Sequence, residues 1–143
     1  MYSNKRLKIF IVDEDPIIRE LYKQYLFNMG FTYVDVFENG WQCFEQLHKK
    51  PDIIILDYDV PPMDGLDILK KIKRMNPGIY LVFTTSNENR QLIDNALKYG
   101  AFDFIIKGEM DEQTLPQVVN KITMAINTVK RNNDSFMKIL NLF

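Results

Sequence analysis

A single cysteine and a single histidine occur in the 143 residues, and neither supports soft-metal chemistry. Cys43 alone excludes an intramolecular disulfide and a multi-cysteine metal site, and it fits a reducing compartment. His48 lies at the end of a helical pattern, where it reads as a surface residue rather than a phosphodonor or ligand. Charge of one sign is also lacking. Eighteen basic and nineteen acidic side chains leave a formal −1, so the chain offers no basic field for direct nucleic-acid contact or for an anionic membrane. No apolar run approaches the ~18–20 residues of a membrane helix. The apolar stretch Ile9–Val12 stops at Asp13, too early for a secretory signal. There is no internal repeat and no low-complexity segment.

What the chain does have is aromatic and aliphatic weight. Ten Phe, seven Tyr and one Trp make up 13% of it, which argues against disorder. The length suits one domain able to bury roughly 68–70% of its unfolded surface. A soluble cytoplasmic protein is therefore expected.

Short apolar runs alternate with segments of helical period. The runs are Ile9–Val12, Tyr33–Phe37, Ile53–Leu56, Tyr80–Phe83 and Phe102–Ile106, and their β-branched and aromatic content favours strands. The first, third and fourth lack polar alternation, as inner strands covered on both faces do. The second alternates around Asp35 and suits an edge. Between them, Ile18, Leu21, Tyr22, Tyr25, Leu26 and Met29 mark a helix with Asp15-Pro16 at its start and Gly30 at its end. Trp41 to His48 predicts a short second helix, with Trp41 and Cys43 as packing residues. A third covers Leu66 to Met75 before Asn76-Pro77-Gly78, and a fourth Leu92 to Leu97 before Gly100. The fifth keeps Leu115, Val118, Val119, Ile122, Ile126 and Val129 on one face, with Pro116 expected in its first turn. Asn132-Asn133-Asp134 reads as a hinge, which divides the chain into a domain at 1–131 and a short apolar tail at 132–143. Strands alternating with helices predict an α/β fold, a doubly wound five-stranded parallel sheet with five helices on its two faces.

In such a sheet ligands bind beyond the carboxyl ends of the strands. The first strand leaves through Asp13-Glu14-Asp15, the third through Asp57-Tyr58-Asp59, the fourth through Thr84-Thr85 and the fifth through Lys107. Carboxylates about 5 Å apart at an effective dielectric of about 20 repel by about 3 kcal/mol per pair. Such a cluster suits a hard dication such as Mg²⁺. A metal-held carboxylate beside a lysine and a threonine is equipped to meet a phosphoryl group, with Asp57 as in-line nucleophile. Asp15 reads as a helix cap, and Asp64-Gly65 as turn chemistry starting the third helix.

The set Val12-Asp13-Glu14, Leu56-Asp57-Tyr58-Asp59-Val60-Pro61-Pro62-Met63-Asp64-Gly65, Thr85-Ser86 and Ile106-Lys107 resembles the receiver domain of two-component response regulators. The resemblance covers residues 8 to about 130, and the spacings between the motifs agree with it. It implies a flavodoxin-like strand order 2-1-3-4-5. It implies that Asp57 accepts a phosphoryl group from a histidine kinase or phosphotransfer protein. It further implies Mg²⁺ held by Asp13, Glu14, Asp57 and the backbone carbonyl of Asp59, a switch hydroxyl in Thr85, a phosphate-binding lysine in Lys107 and a switch aromatic in Phe104. Phosphorylation would bias a surface formed by the fourth helix, fifth strand and fifth helix, which is also the expected homodimer contact. At most a slow self-dephosphorylation is expected, rather than enzymatic turnover.

The sequence departs from that pattern in places. Gly108 stands where a proline usually follows the lysine, and Asp59 adds a carboxylate two residues after the acceptor. Asp59 and Asn87 are the expected tuners of acyl-phosphate lifetime. Two other functions remain open at this stage. Asp57-Tyr58-Asp59-Val60 also fits the nucleophile motif of haloacid-dehalogenase-type phosphatases. Against that, the acidic pair precedes the nucleophile, and the chain has no room for a cap. A pseudo-receiver that binds partners without phosphorylation is the third reading. Phe136, Ile139, Leu140 and Phe143 lie at helical spacing, consistent with a fold-back, a dimer contact or the start of a further segment.

Overall fold

The computed structural model describes residues 6–59, 64–108 and 110–141. The apolar runs form β1 (Ile9–Val12), β2 (Val34–Phe37), β3 (Ile53–Asp57), β4 (Tyr80–Thr85) and β5 (Asp103–Ile106). They join one parallel sheet in the order β2-β1-β3-β4-β5, as the resemblance implied. β2 is an edge, and β1, β3 and β4 are interior. The interior strands are buried nearly throughout because each is covered on both faces.

Side chains of successive strand residues point to opposite faces, which sorts the core into two layers. Ile9, Ile11, Ile53, Ile55, Val82 and Ile105 pack with Tyr22 and Leu26 of α1 (Pro16–Asn28) and with Leu115, Val118, Val119 and Ile122 of α5 (Asp111–Leu140). Phe10, Val12, Ile54, Leu56, Leu81 and Phe83 pack with residues of α2 (Gly40–Glu45), α3 (Gly65–Met75) and α4 (Arg90–Lys98).

The helix ends follow the expected chemistry. The Asp15 carboxylate accepts the Ile17 N–H at 2.9 Å, with Pro16 at the first helical position. Gly30 (φ 95°) and Gly100 (φ 109°) follow α1 and α4 in the left-handed region that a side chain would strain. Asp64 caps α3 and Asn89 caps α4.

Several expectations need correction. β2 and β5 each begin one residue later than expected, at Val34 and Asp103, and β4 runs on through Thr84 and Thr85. The second helix is split into α2 and a 3₁₀ turn at Leu47–Lys49. Trp41 is 54% exposed and contributes little to packing, whereas Cys43 is buried and its thiol is pushed up to about 12 by desolvation. Pro116 lies beyond the first turn, because α5 already starts at Asp111. The hinge at Asn132-Asn133-Asp134 is not there: α5 runs through it as one helix to Leu140. Two adjacent asparagines weaken a helix by only tenths of a kcal/mol each, roughly, and do not end it. Residues 60–63 of the longest motif, Glu109 and Phe143 lie outside the described residues.

Leu26 has no exposed surface and bridges α1 to the sheet. Leu26→Ala should cost about 2–5 kcal/mol through lost transfer energy and a residual cavity. That cost would be read as a lowered urea midpoint with an unchanged m-value, whereas Met124→Ala, at a side chain 68% exposed, should leave the midpoint within error.

Candidate functional site

Because all five strands run the same way, their carboxyl ends share one edge of the sheet, and four of them carry the predicted groups. Asp13 follows β1 and Asp57 closes β3; both are buried, at 2% and 6% exposure. The Lys107 ammonium, just past β5, donates to Asp13 Oδ2 at 2.7 Å and to Asp57 Oδ2 at 2.8 Å. One cation thus ties β5 to β1 and β3, neither of which is its neighbour in the sheet.

The other carboxylate oxygens also have partners. Asp13 Oδ1 accepts the Asp15 N–H at 2.9 Å, and Asp57 Oδ1 accepts the Asp59 N–H at 3.2 Å. Both bonds are short local loops that fix the carboxylate by its own following turn. The Asp13 carbonyl accepts from the Arg19 guanidinium. Desolvation by burial holds the Asp13 carboxyl above its ordinary range, despite the opposing hydrogen bond from Lys107. Burial alone would lower the Lys107 ammonium, but its bonds to Asp13 and Asp57 outweigh that and raise it.

Thr85 is fully buried at the end of β4. Its hydroxyl oxygen accepts the Asn87 N–H at 3.1 Å, and its carbonyl accepts the Lys107 N–H at 2.8 Å. The backbone therefore couples the threonine directly to the lysine. Phe104 pairs with Phe83 across the β4–β5 ladder and is half-buried against the α2–α4 layer. Glu14 and Asp59 are exposed and reach neither carboxylate through a side-chain bond.

Sequence reading missed a clamp behind the lysine. Asp111, at the start of α5, is 4% exposed. Its Oδ2 accepts the Tyr22 hydroxyl at 2.7 Å, and its Oδ1 accepts the Gly108 N–H at 3.0 Å. Burial, then the bond to Asp111, pushes the Tyr22 phenol far above its usual value, so it stays a donor. A proline after the lysine would have no N–H to give. Gly108 and Asp111 three residues apart carried a signal, but the partner Tyr22 lies 89 residues away in sequence. On the other side, Gly65 lies so close to the loop after Asp57 that a Cβ there would stand 2.8 Å from the Tyr58 carbonyl.

Among the described residues no three carboxylate, histidine or cysteine side chains converge into a metal cage. The donor set nonetheless fits Mg²⁺, which keeps several waters and takes one or two protein carboxylates. Two carboxylates facing one ammonium leave a negative charge uncompensated, and all the donors are hard oxygens.

The family model for the response regulator receiver domain matches residues 9–120. The chain belongs to that family. It is 31% identical to the chemotaxis protein CheY of Bacillus subtilis over 115 residues, 80% of this chain and 95% of CheY. It is 35% identical to a protein-glutamate methylesterase/protein-glutamine glutaminase of Archaeoglobus fulgidus over 129 residues, 85% of this chain but 37% of that protein. Among solved structures, a receiver domain from Clostridium thermocellum matches with a TM-score of 0.78 at 22% identity, covering 86% of this chain and 98% of that one. CheY in the CheX–CheY–BeF3–Mg complex of Borrelia burgdorferi matches with a TM-score of 0.75 at 24% identity, covering 82% and 89%. The fold is that of these receivers, and the chain is a phosphoacceptor module of two-component signalling. Neither the phosphatase nor the pseudo-receiver reading is favoured by these matches. No described helix of this receiver is long and apolar enough to cross a membrane.

The raised pKa of Asp13 has a consequence for stability. An acid whose folded-state pKa exceeds the unfolded value contributes stability that is full below the unfolded pKa and is lost as pH rises through the folded one. Above the folded-state value that contribution is gone, and the desolvated charge opposes folding. Asp13→Asn should therefore raise the urea midpoint at pH 7, and the gain should shrink as the pH falls through the folded-state value and vanish towards the unfolded carboxylate value near 3.8.

Proposed function

We propose that Asp57 is the phosphoryl acceptor of this receiver and that Asp13, Lys107 and Thr85 complete its chemistry. The observation that carries this reading is the Lys107 ammonium held between two buried carboxylates from β1 and β3. A carboxylate oxygen of Asp57 forms the bond to phosphorus while the bond from phosphorus to the donor's leaving atom breaks. The leaving atom keeps the electron pair of the broken bond. Lys107 then faces an acyl phosphate in place of a bare carboxylate, and it offsets charge on the phosphoryl oxygens.

Asp13 and Asp57 are the residues that would hold Mg²⁺, with Glu14 and the Asp59 carbonyl beside them. When bound, the ion supplies further positive charge against those oxygens. Thr85 must give up the bond its hydroxyl donates to the Asn87 carbonyl, at 3.4 Å, to donate to the phosphoryl group instead. That release frees the segment between β4 and the Asn89 cap of α4. Through the Thr85 carbonyl–Lys107 bond the same movement reaches β5, where Phe104 packs, and the start of α5. The α4–β5–α5 face is the surface so biased. The donor partner is a histidine kinase or phosphotransfer protein, the setting is the cytoplasm, and any self-dephosphorylation is slow. Residues 1–131 form the receiver unit, and 132–140 extend its last helix.

Incubation with acetyl phosphate should add one phosphoryl group by intact mass, dependent on Mg²⁺ and absent in Asp57→Asn. Lys107→Met should reduce the adduct strongly while leaving the far-UV spectrum intact. Steady phosphate release without an adduct would instead revive the phosphatase, and neither adduct nor release would favour the pseudo-receiver.

Asp59 sits two residues beyond the acceptor on an exposed turn, so its charge acts on the phosphoryl group through solvent. Exposed charge pairs are worth about 0.2–1 kcal/mol, so Asp59→Asn should lengthen the phosphorylated lifetime by up to about fivefold. Asn87→Ala should alter the same lifetime by removing a side chain next to the Thr85 bond. Unchanged decay rates in both variants would remove these two residues from lifetime control.

A further inference from the structure

α2 and α3 lie side by side because Gly40 lets them close: a Cβ there would stand 2.7 Å from Ile68 Cδ1. Trp41, the next residue, is left on the outer surface. Its ring meets Phe44 edge-on with centroids 6.5 Å apart, and Phe44 is packed on the core layer beneath. With Met75, 66% exposed at the end of α3, these rings line a cavity of about 280 Å³, and Lys71 and Arg74 complete its lining. Single exposed apolar side chains are ordinary. A tryptophan, a phenylalanine and a methionine gathered around one cavity form an interaction surface, and the phosphorylation chemistry makes no use of it.

Charge selects the occupant. The Lys71 ammonium stands 6.0 Å from the centre of the Trp41 ring. Neither Lys71 nor Arg74 is paired with an acid among the described residues. Their neighbours on α3 are engaged elsewhere: Lys70 lies over the Tyr99 ring, and Lys73 donates to the Pro77 and Ile79 carbonyls. The acids of the two helices, Glu45 and Asp67, do not line the cavity; Glu45 lines a separate depression against β2, with Lys49.

We propose that this cavity docks an acidic segment of a partner protein through one bulky aliphatic or aromatic side chain, with carboxylates on either side of it meeting Lys71 and Arg74. The volume falls just short of the ~300–1,000 Å³ of small-molecule clefts, so it suits one anchoring side chain rather than a whole ligand. Met75 can adapt to more than one anchor shape, and the rigid Trp41 ring supplies contact area at little entropic cost. A second copy of this chain is a poor occupant. Its uncovered apolar segment, at the end of α5, carries Lys130, Arg131 and Lys138 against Asp134, and so brings like charge to Lys71 and Arg74. A nucleic-acid strand, with a phosphate at every residue, would find only two cations here. One anchored contact buries far less than the roughly 1,200–2,000 Å² of stable interfaces, so the association is weak and reversible. It lies apart from the α4–β5–α5 face and does not depend on phosphorylation of Asp57.

Trp41 is the sole tryptophan, so its emission reads occupancy of the cavity directly. The probes are three synthetic helical peptides, each with one Leu, Ile or Phe flanked by glutamates three and four residues away. At low salt at least one should shift the Trp41 emission to the blue, saturably, with a dissociation constant below about 1 mM. The double variant Lys71→Glu/Arg74→Glu should weaken that binding about tenfold or more and should prefer the same peptide with lysines in place of the glutamates. Met75→Glu should also weaken it. All three side chains are exposed, so the urea midpoint should stay where it is. No shift with any of the three peptides, or an equal response to the lysine-flanked ones, would overturn the proposal. A larger response to an oligothymidylate would overturn it in favour of nucleic acid, and a shift that follows protein concentration alone would do so in favour of a second copy.

Discussion

The contact on which the site depends is one ammonium shared between two buried carboxylates. Lys107 joins the ends of β1, β3 and β5 at 2.7 and 2.8 Å, and without it Asp13 and Asp57 would repel across a gap with little water. Burial of Asp13 opposes folding, as its raised carboxyl shows. The structure tolerates that because the two apolar layers beneath are closely filled: the interior residues of β1, β3 and β4 are almost wholly excluded from solvent. Two carboxylates against one ammonium leave a net negative charge at this edge of the sheet.

Each group in the site is held by a neighbour that has another attachment. Lys107 receives its backbone position from the Thr85 carbonyl, and the turn after it is held by Asp111, which also takes the Tyr22 hydroxyl from α1. Thr85 in turn holds the Asn87 N–H ahead of α4. Through these bonds Asp57 is connected to helices on both faces of the sheet. The Gly108 N–H takes part in this clamp, so the glycine after the lysine has a structural use that a proline could not serve.

α5 carries one apolar repeat along its whole length. Its first half satisfies that repeat internally, against the sheet and α1, and its second half carries the same spacing past the end of the body. A helix that leaves its domain keeps its helical twist, so its apolar stripe emerges already aligned with the one inside. That continuity separates the extension from a disordered tail.

Much of this protein was readable in the chain itself. Period-two burial and uninterrupted apolar runs identified five strands. Asp15-Pro16, Gly30 and Gly100 marked helix ends through local backbone preferences. Acids, threonine and lysine placed directly after strands named the groups at the site, because a parallel sheet brings every strand's carboxyl end to one edge. All of these are short-range rules that operate within a few residues. Tertiary structure decided the rest. It brought Asp13 and Asp57 onto one ammonium but left the Glu14 and Asp59 side chains in solvent. It paired Tyr22 with Asp111 across 89 residues, exposed Trp41, and carried α5 straight through Asn132-Asn133-Asp134. Those outcomes depend on which surfaces meet across long sequence separations, and side-chain contact at that range follows the packing of whole layers rather than any local pattern.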